Sequence, residues 1–423
     1  MSGVHQQRAF VLFEQRRYDH AARELRQAAA DDPGDAFVRA LLALCLSEQE
    51  QFGDAMREAD EAVRLDPEMP FAHYARASVL ADRDKLSDAS RAVDEAIRLD
   101  PEHADFHALR ARVLYAQERW ASALAAAEAG LALDAEHTGS TNLRGLALRQ
   151  LGRADEAHAT LDGALERDPE NAFAHASRGW LMLERRDHAK AMEHFAEALR
   201  LEPGLGFARE GLVTALKARY AVYGVMLRYF LWMSKLDRRT RMFVVLGGVF
   251  ASRLLRSLAK DTPALRPIVW PLLGAYFLFV LLSWTADPLF NLLLRFNRYG
   301  RRALTRDETV ASNWVGLAIA GAATLGLAAL AFRSSAFAVG AAGCLLLLLP
   351  LGGVFHTRRG WPRRVMAVYT AVAAAAGALG LALWLAAPAS ADVPAGALTL
   401  LVIFFGGAVL SGWVANGLAL ARR

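Results

Sequence analysis

His103 and His107 stand four residues apart, a spacing that can place two imidazoles on one helical face as ligands of one metal ion. No Cys or carboxylate pair is arranged beside them to complete such a site, and His107 falls on a repeat packing position. His188 and His194 lack a ligand spacing and read as solvated helix residues. The two cysteines, Cys45 and Cys344, exclude a disulfide scaffold and a four-Cys zinc site. Gly247-Gly248 and Gly352-Gly353 lack the Lys-Ser/Thr that would make a phosphate loop. These residues support neither a metal nor a cofactor, and the chain does not read as an enzyme.

The charge is unevenly spread. The 423 residues carry a formal net charge of +5. Residues 1–205 hold 25 Lys+Arg against 37 Asp+Glu, a balance of −12; residues 206–423 hold 24 against 7, a balance of +17. An acidic half is therefore joined to a basic, apolar half, which points to a membrane or a polyanion. Residues 1–30 are charged and amphipathic without an apolar h-region, so no cleavable signal peptide is expected.

The first half repeats itself. Pro33, Pro67, Pro101, Pro169 and Pro203, with Ala135 in the gap, recur every 34 residues, mostly after Asp. Small residues keep the same register: Ala9, Ala43, Ala77, Ala111, Gly145 and Gly179, and again Ala21, Ala55, Ala89, Ala123, Ala157 and Ala191. Leu12, Leu46, Leu80, Leu114, Leu148 and Met182 stand between them. The spacing predicts two helices per unit, brought close by the small residues and ended by the proline. One such pair cannot bury its apolar face alone, so the pairs must stack.

These columns resemble the tetratricopeptide (TPR) repeat. The resemblance gives repeats over 2–35, 36–69, 70–103, 104–137, 138–171 and 172–205, with a capping helix over 206–220. The aromatic residue usual at the fourth position is replaced by His5, Arg39, His73, His107, Thr141 and His175, which suggests a more polar packing position. By the family's pattern the first helix of each pair lines a concave groove, here bearing Phe37, Phe71, Tyr74, Arg112, Tyr115, Arg149, Phe173 and Trp180. The thirteenth position carries Glu14, Glu48, Asp82 and Glu184, broken by Ala116 and Gln150. Such a groove would suit a protein segment with basic and apolar residues; the alternative makes the acids solvated turn residues. The Asn and Lys set with which some TPR domains clamp a C-terminal carboxylate is absent, since Gln6, Ala40, Tyr74 and Ala108 occupy one of its columns.

Beyond a basic, amphipathic linker over 221–241, the sequence predicts a transmembrane domain over 242–423. Spans are expected near 242–256, 268–286, 313–332, 336–355, 365–387 and 398–421, most of them about 20 apolar residues long. The first is the shortest and could instead lie at the interface. Arg295, Arg298, Arg301, Arg302 and Arg306 mark one cytoplasmic loop, and Arg358, Arg359, Arg363 and Arg364 another. Arg422 and Arg423 end the chain on the same side, so a cytoplasmic repeat domain needs six spans. That topology leaves Arg253, Arg256, Lys260 and Arg266 unexplained outside.

Tyr223–Leu236 and Asp287–Tyr299 read as helices lying at anionic headgroups, or else as packed connectors. The polar residues Ser283, Thr285, Thr324, Tyr369, Thr370, Ser411 and Asn416 have no ionisable partner at membrane depth, and Ala408, Gly412 and Asn416 suggest a helix-packing stripe. The phrases LRYFLWMSKL, SWTADPLFNLLLRFNR and ASNWVG resemble bacterial membrane proteins with an N-terminal TPR array, which implies a multi-pass inner-membrane protein.

The fold class expected is all-α: a TPR superhelix followed by a polytopic bundle. The function expected is a membrane-anchored interaction scaffold, with a TPR-regulated transport or channel component as the alternative. The latter would require oligomerisation to build a polar pore. Nucleic acid is not an expected partner, because the excess basic residues cluster at membrane boundaries.

Overall fold

Helix pairs follow one another through the first half of the chain because each repeat carries its own stop and start signals. A computed structural model describes residues 2–295, 304–357, 360–388 and 393–420. The described residues divide into two units, Met1–Gly211 and Leu212–Arg423, each considered by itself below.

In the first unit the pairs are α1 (Ser2–Glu14) with α2 (Tyr18–Asp31), α3 (Ala36–Glu48) with α4 (Phe52–Leu65), and α5 (Pro70–Asp82) with α6 (Leu86–Leu99). They continue as α7 (Ala104–Ala116) with α8 (Trp120–Leu133), α9 (Thr138–Gln150) with α10 (Ala154–Arg167), and α11 (Ala172–Glu184) with α12 (His188–Leu201). Helix α13 (Gly206–Ala218) follows. Every residue of the column from Ala21 to Ala191 is fully buried, so the small side chains do set the distance between paired helices.

Both turns of the repeat are closed by local chemistry. Between the helices of a pair, Arg16, Glu50, Asp84, Glu118, Gly152 and Arg186 adopt the left-handed conformation, with φ from 56° to 75°. The amide of Arg17 then reaches Leu12 O and that of Arg16 reaches Phe13 O, each at 2.8 Å, a Schellman closure that satisfies the last carbonyls of α1. Only Gly152 adopts this φ without a Cβ penalty.

Between repeats, Asp32, Asp66, Asp100, Asp134 and Asp168 each accept from the amide two residues on, at 2.9 to 3.2 Å. These side-chain turns explain the Asp-Pro phrases. The polar fourth position is explained as well. His73, His107 and His175 donate from Nε2 to the carbonyls of Pro67, Pro101 and Pro169 at 2.8, 2.9 and 3.0 Å, and Arg39 Nε donates to Pro33 O at 3.1 Å. Thr141 turns to its own helix, and Arg167 Nη1 takes over at Ala135 O, 2.9 Å away.

Arginines at the seventh position pair with acids of the preceding repeat: Arg76 with Asp60 at 2.7 Å, Arg110 with Asp94 at 3.1 Å, Arg144 with Glu128 at 3.6 Å, and Arg178 with Asp162. The ladder is half-exposed, so each rung adds little stability while holding register between repeats.

The second unit contains α14 (Ala221–Lys235), α15 (Arg238–Asp261), α16 (Arg266–Leu294), α17 (Arg306–Phe332), α18 (Ser335–Leu346), α19 (Leu348–His356), α20 (Trp361–Ala386) and α21 (Ala395–Leu420). Among the described residues, six helical segments are long and apolar enough to cross a membrane: Arg239–Asp261, Pro263–Val280, Arg306–Phe332, Ser335–Phe355, Trp361–Ala386 and Ala395–Leu418. The first is longer than the 242–256 read from sequence.

Asp287-Pro288 does not start a helix, because α16 runs through both Pro271 and Pro288. The separate interfacial helix expected from Asp287 is therefore the end of α16. Its last expected residues, Phe296 to Tyr299, lie outside the described residues, as do Arg298, Arg301, Arg302, Arg358, Arg359, Arg422 and Arg423.

Helices α20 and α21 approach closely where Gly377 and Gly380 face Phe404 and Leu400; a Cβ on Gly377 would stand 2.8 Å from Phe404 Cγ. The inward stripe of α21 is Leu401, Phe404, Ala408, Ser411 and Ala415. Asn416 is exposed, which corrects the Ala408–Gly412–Asn416 stripe. One buried charge stands out: Lys217 Nζ, its side chain 4% exposed, pairs with Asp287 Oδ1 at 2.9 Å beside the Tyr223 hydroxyl.

Candidate partner-binding groove

The first helix of each pair (α1, α3, α5, α7, α9, α11) carries the residues expected at the groove, and the 34-residue register brings several of them into ladders, while Arg149 and Trp180 are buried. Phe37 stacks on Phe71 with centroids 5.0 Å apart, Phe71 on Tyr74 at 5.8 Å, and Tyr74 meets Phe106 at 5.3 Å. His103 continues the run, stacked on Phe106 at 4.3 Å. With His107 held at the Pro101 carbonyl, the two imidazoles do not converge as metal ligands. Among the described residues no group of three or more His, Cys, Asp or Glu could hold a metal ion. Phe37, Phe71 and Tyr74 remain half-buried, and burial pushes the Tyr74 hydroxyl up to about 12.

A second aromatic cluster closes the other end. Phe173 stacks on Phe207 at 5.4 Å, and Trp180 lies 5.8 Å from both Phe207 and Phe195, its Nε1 donating to Phe207 O at 3.3 Å. Sequence reasoning left out Phe207 and Phe106. For Phe207 the signal was present, because it lies 34 residues after Phe173, in the register of Phe37 and Phe71. Phe106 lies one residue past that register and gave none.

The acidic column has cationic neighbours. Asp82 accepts from Ser47 Oγ at 2.7 Å and faces Arg112 Nη1 at 3.4 Å, while Arg112 Nη2 donates to Ser78 at 3.1 Å. Glu184 faces Arg149 at 3.9 Å. Burial, then the Asp82 carboxylate, raises the pKa of Glu48 above the ordinary carboxylate range; Arg112 and Arg16 pull it back. Glu14 stands exposed at the end of α1. Arg16 itself reaches Glu202 Oε1 at 3.1 Å, 186 residues along the chain. The groove wall is thus a mosaic of acids and arginines, and four acids in sequence are not four free charges in space.

One arrangement imitates a nucleophilic triad. His137 lies 2.9 Å from Ser140 Oγ and 3.0 Å from Asp105 Oδ1. Ser140 is fully buried, and its amide donates to His137 Nδ1 at 3.1 Å, so the imidazole caps α9. The hydroxyl has no room for a substrate.

His194 differs from its expected solvation. Its Nδ1 sits 3.2 Å from Nδ1 of His175, and burial followed by that neighbour lowers its pKa to about 4.

Two tetratricopeptide-repeat family descriptions match the chain, one over residues 12–68 and the other over 74–137 and 142–205. The first unit is built of TPR repeats. Among solved structures, the TPR match extends to YrrB, "a TPR protein with an unusual peptide-binding site", at 24% identity; the alignment covers 44% of this chain and 96% of that one, with a TM-score of 0.33. TTC0263 of Thermus thermophilus, a thermophilic TPR protein, is 20% identical over 43% of this chain and 100% of its own, with a TM-score of 0.41. PilF of Pseudomonas aeruginosa is 19% identical over 49% of this chain and 95% of its own, with a TM-score of 0.40. No curated protein matches the chain.

Proposed function

We propose that the protein is a membrane-anchored scaffold: its TPR groove captures a segment of a partner protein, and its C-terminal helices fix that partner at a bacterial inner membrane. The observation that carries this reading is a six-repeat TPR array on one chain with six apolar helices of membrane-spanning length. TPR domains generally mediate protein–protein interaction, and the half-buried ladder Phe37–Phe71–Tyr74 offers apolar surface for a partner side chain.

In this reading the TPR unit faces the cytoplasm, and α14 rests on anionic headgroups. Val222, Val225 and Trp232 are exposed along α14 together with Arg228. The ion pair between Arg363 and Asp307, at 2.7 Å, supports the topology, because the positive-inside rule puts both residues on the cytoplasmic side. The charged residues of α17 to α21 stand at helix ends, which suits an anchor better than a conduction path.

Photo-crosslinking in native membranes tests the proposal, with a benzophenone amino acid placed at Phe37 or, on the outer surface, at Arg91. A partner crosslinked from Phe37, absent from Arg91 and weakened by Phe71→Ala, is expected. Equal products from both positions would sink the groove reading, and recovery of the chain in the soluble fraction would sink the anchor.

A further inference from the structure

Val4 and Val11 on α1 are each 54% exposed. They occupy the third and tenth positions of the first repeat. In the five later pairs the third position holds Val38, Ala72, Phe106, Ser140 and Ala174, and the tenth holds Cys45, Val79, Val113, Ala147 and Leu181. None of these is more than 2% exposed. The second helix of the preceding repeat covers them. Ala22 and Leu25 of α2 share a core with Val38 and Cys45, Ala62 of α4 shares one with Ala72, and a Cβ on Gly130 of α8 would collide with Ser140. The stripe Val4, Gln7 and Val11, spaced three and four apart, is therefore the stacking face of a first helix. Among the described residues no helix is stacked on it. Repeat arrays ordinarily close their ends with polar faces, and this end is apolar.

The ladder of ion pairs shows what a helix stacked here should carry. Arg76, Arg110, Arg144 and Arg178 stand at the seventh position. Each pairs with an acid that directly follows a buried apolar residue of the preceding second helix: Asp60 after Ala59, Asp94 after Val93, Glu128 after Ala127 and Asp162 after Leu161. Where the arginine is replaced, so is the acid: Leu42 holds the seventh position of the second repeat, and Arg26 follows Leu25. Arg8 holds the seventh position of the first repeat, four residues after Val4 and three before Val11, on the same face. It is exposed and, among the described residues, has no acid of this kind.

We propose that α1 is a docking face for an amphipathic helix of a partner protein, which stacks on it as α2 stacks on α3 and extends the array in trans. The pattern it should read is a small residue, three of any kind, an apolar residue, an acid, one of any kind and a small residue. Ala89, Val93, Asp94 and Ala96 of α6 follow that pattern within the chain. The small residues let the two helices approach, and the acid completes the rung at Arg8. A second copy of this chain offers no such helix, because the small and apolar residues of the pattern in α4, α6, α8 and α10 are already buried. This end face is separate from the aromatic ladder, so the inference does not depend on the groove reading.

The probe is the sequence of α6, residues 86–99, made as a fluorescent, stapled helix with the staple away from the four pattern residues. The staple is needed because a helix of 14 residues is marginal alone in water. Its anisotropy is followed on titration with the full chain in nanodiscs. Val11→Asp should weaken binding at least about tenfold, because the helix would bury an unpaired carboxylate. Arg8→Glu should weaken it about three- to tenfold. The peptide carrying Asp94→Arg should reverse the order, binding the Arg8→Glu chain better than the parent. Both protein substitutions fall at exposed positions, so the fold is retained. Failure of the parent to bind, or binding that Val11→Asp leaves unchanged, would overturn the proposal. Loss of binding in Phe71→Ala would place the peptide in the groove and overturn it as well. So would a dimer of the full chain in sedimentation that Val11→Asp abolishes, since the face would then belong to a second copy.

Discussion

Gly179 faces the ring of Phe195 so closely that a Cβ built on the glycine would stand 2.7 Å from Cε1. The contact belongs to a pattern of compensating volumes between residues sixteen apart. Ala43, Ala77 and Ala111 oppose Ala59, Val93 and Ala127, whereas Gly145 and Gly179 oppose the larger Leu161 and Phe195. At Leu161 and Phe195 the small residue gives up its methyl, whereas Ala9 keeps its own in the core it shares with Leu25.

Gly179→Ala should therefore destabilise the last TPR repeat by about 1–3 kcal/mol through overpacking, despite the better helix propensity of alanine. Phe195→Leu introduced alone should also cost stability, by leaving space beside Trp180. Combined, the two changes should cost clearly less than the sum of the singles, because each relieves the other. Hydrogen exchange of the α11 and α12 amides would measure the three values. Simple additivity would show that the contact does not set the spacing of this pair.

The pairing of His137 with Asp105 makes stability depend on pH: protonation strengthens it, while taking from Nδ1 the lone pair that accepts the Ser140 amide. The hydrogen bond to Asp105 raises the imidazole above its ordinary 6.5, with Asp105 and Asp134 charges adding to this, and lowers the Asp105 carboxyl below 3.8, with His137 and His103 charges helping. The histidine term is fully present below pH 6.5 and is lost as pH rises through the raised folded value. The aspartate term is present above pH 3.8 and is lost as pH falls through the lowered one. The pair thus contributes most between these limits. Asp105 is half exposed and screened, so the contribution stays below about 1 kcal/mol. The difference in unfolding free energy between the parent and Asp105→Asn should be largest between pH 3.8 and 6.5 and shrink as pH rises through the raised imidazole value. A difference independent of pH would mean that the imidazole stays neutral throughout.

Much of the TPR unit was legible in the sequence because its signals are local. The Asp-Pro phrases encode a side-chain turn and a helix stop, and the alanine columns encode contact between adjacent helices. The histidines at the fourth position read as a loss of aromatic packing, yet His73, His107 and His175 are donors to a carbonyl six residues back, and His5 pairs with Glu24. What local signals did not carry is pairing across the groove. Asp82 meets Arg112 and Ser47 from neighbouring repeats, and Arg16 meets Glu202 from the far end of the array. A column of acids read along the chain therefore overstated the negative charge. The second unit misled for a different reason. Asp-Pro commonly opens a helix in water, but the helix expected from Asp287 is the end of α16, which continues through Pro288.

The six-span reading turns on α15. Its apolar stretch ends near Arg253 and Arg256, but the helix continues to Asp261, so its length of 24 residues gives about 36 Å of rise, enough to cross a bilayer. If it does cross, Thr262 emerges on the side opposite the TPR unit, with Arg253 and Arg256 near the far headgroups. Single cysteines in a chain lacking Cys45 and Cys344 would decide between the readings. Thr262 is exposed, and Thr138 is the right cytoplasmic control because it too is exposed, whereas the neighbouring Ser140 is fully buried and would not react. An impermeant maleimide added to intact cells should label Thr262→Cys, and should label Thr138→Cys only after the membrane is opened. Labelling of Thr262→Cys only after opening would place α15 along the interface. It would leave five crossings, with the TPR unit facing away from the cytoplasm if the basic loops stay inside.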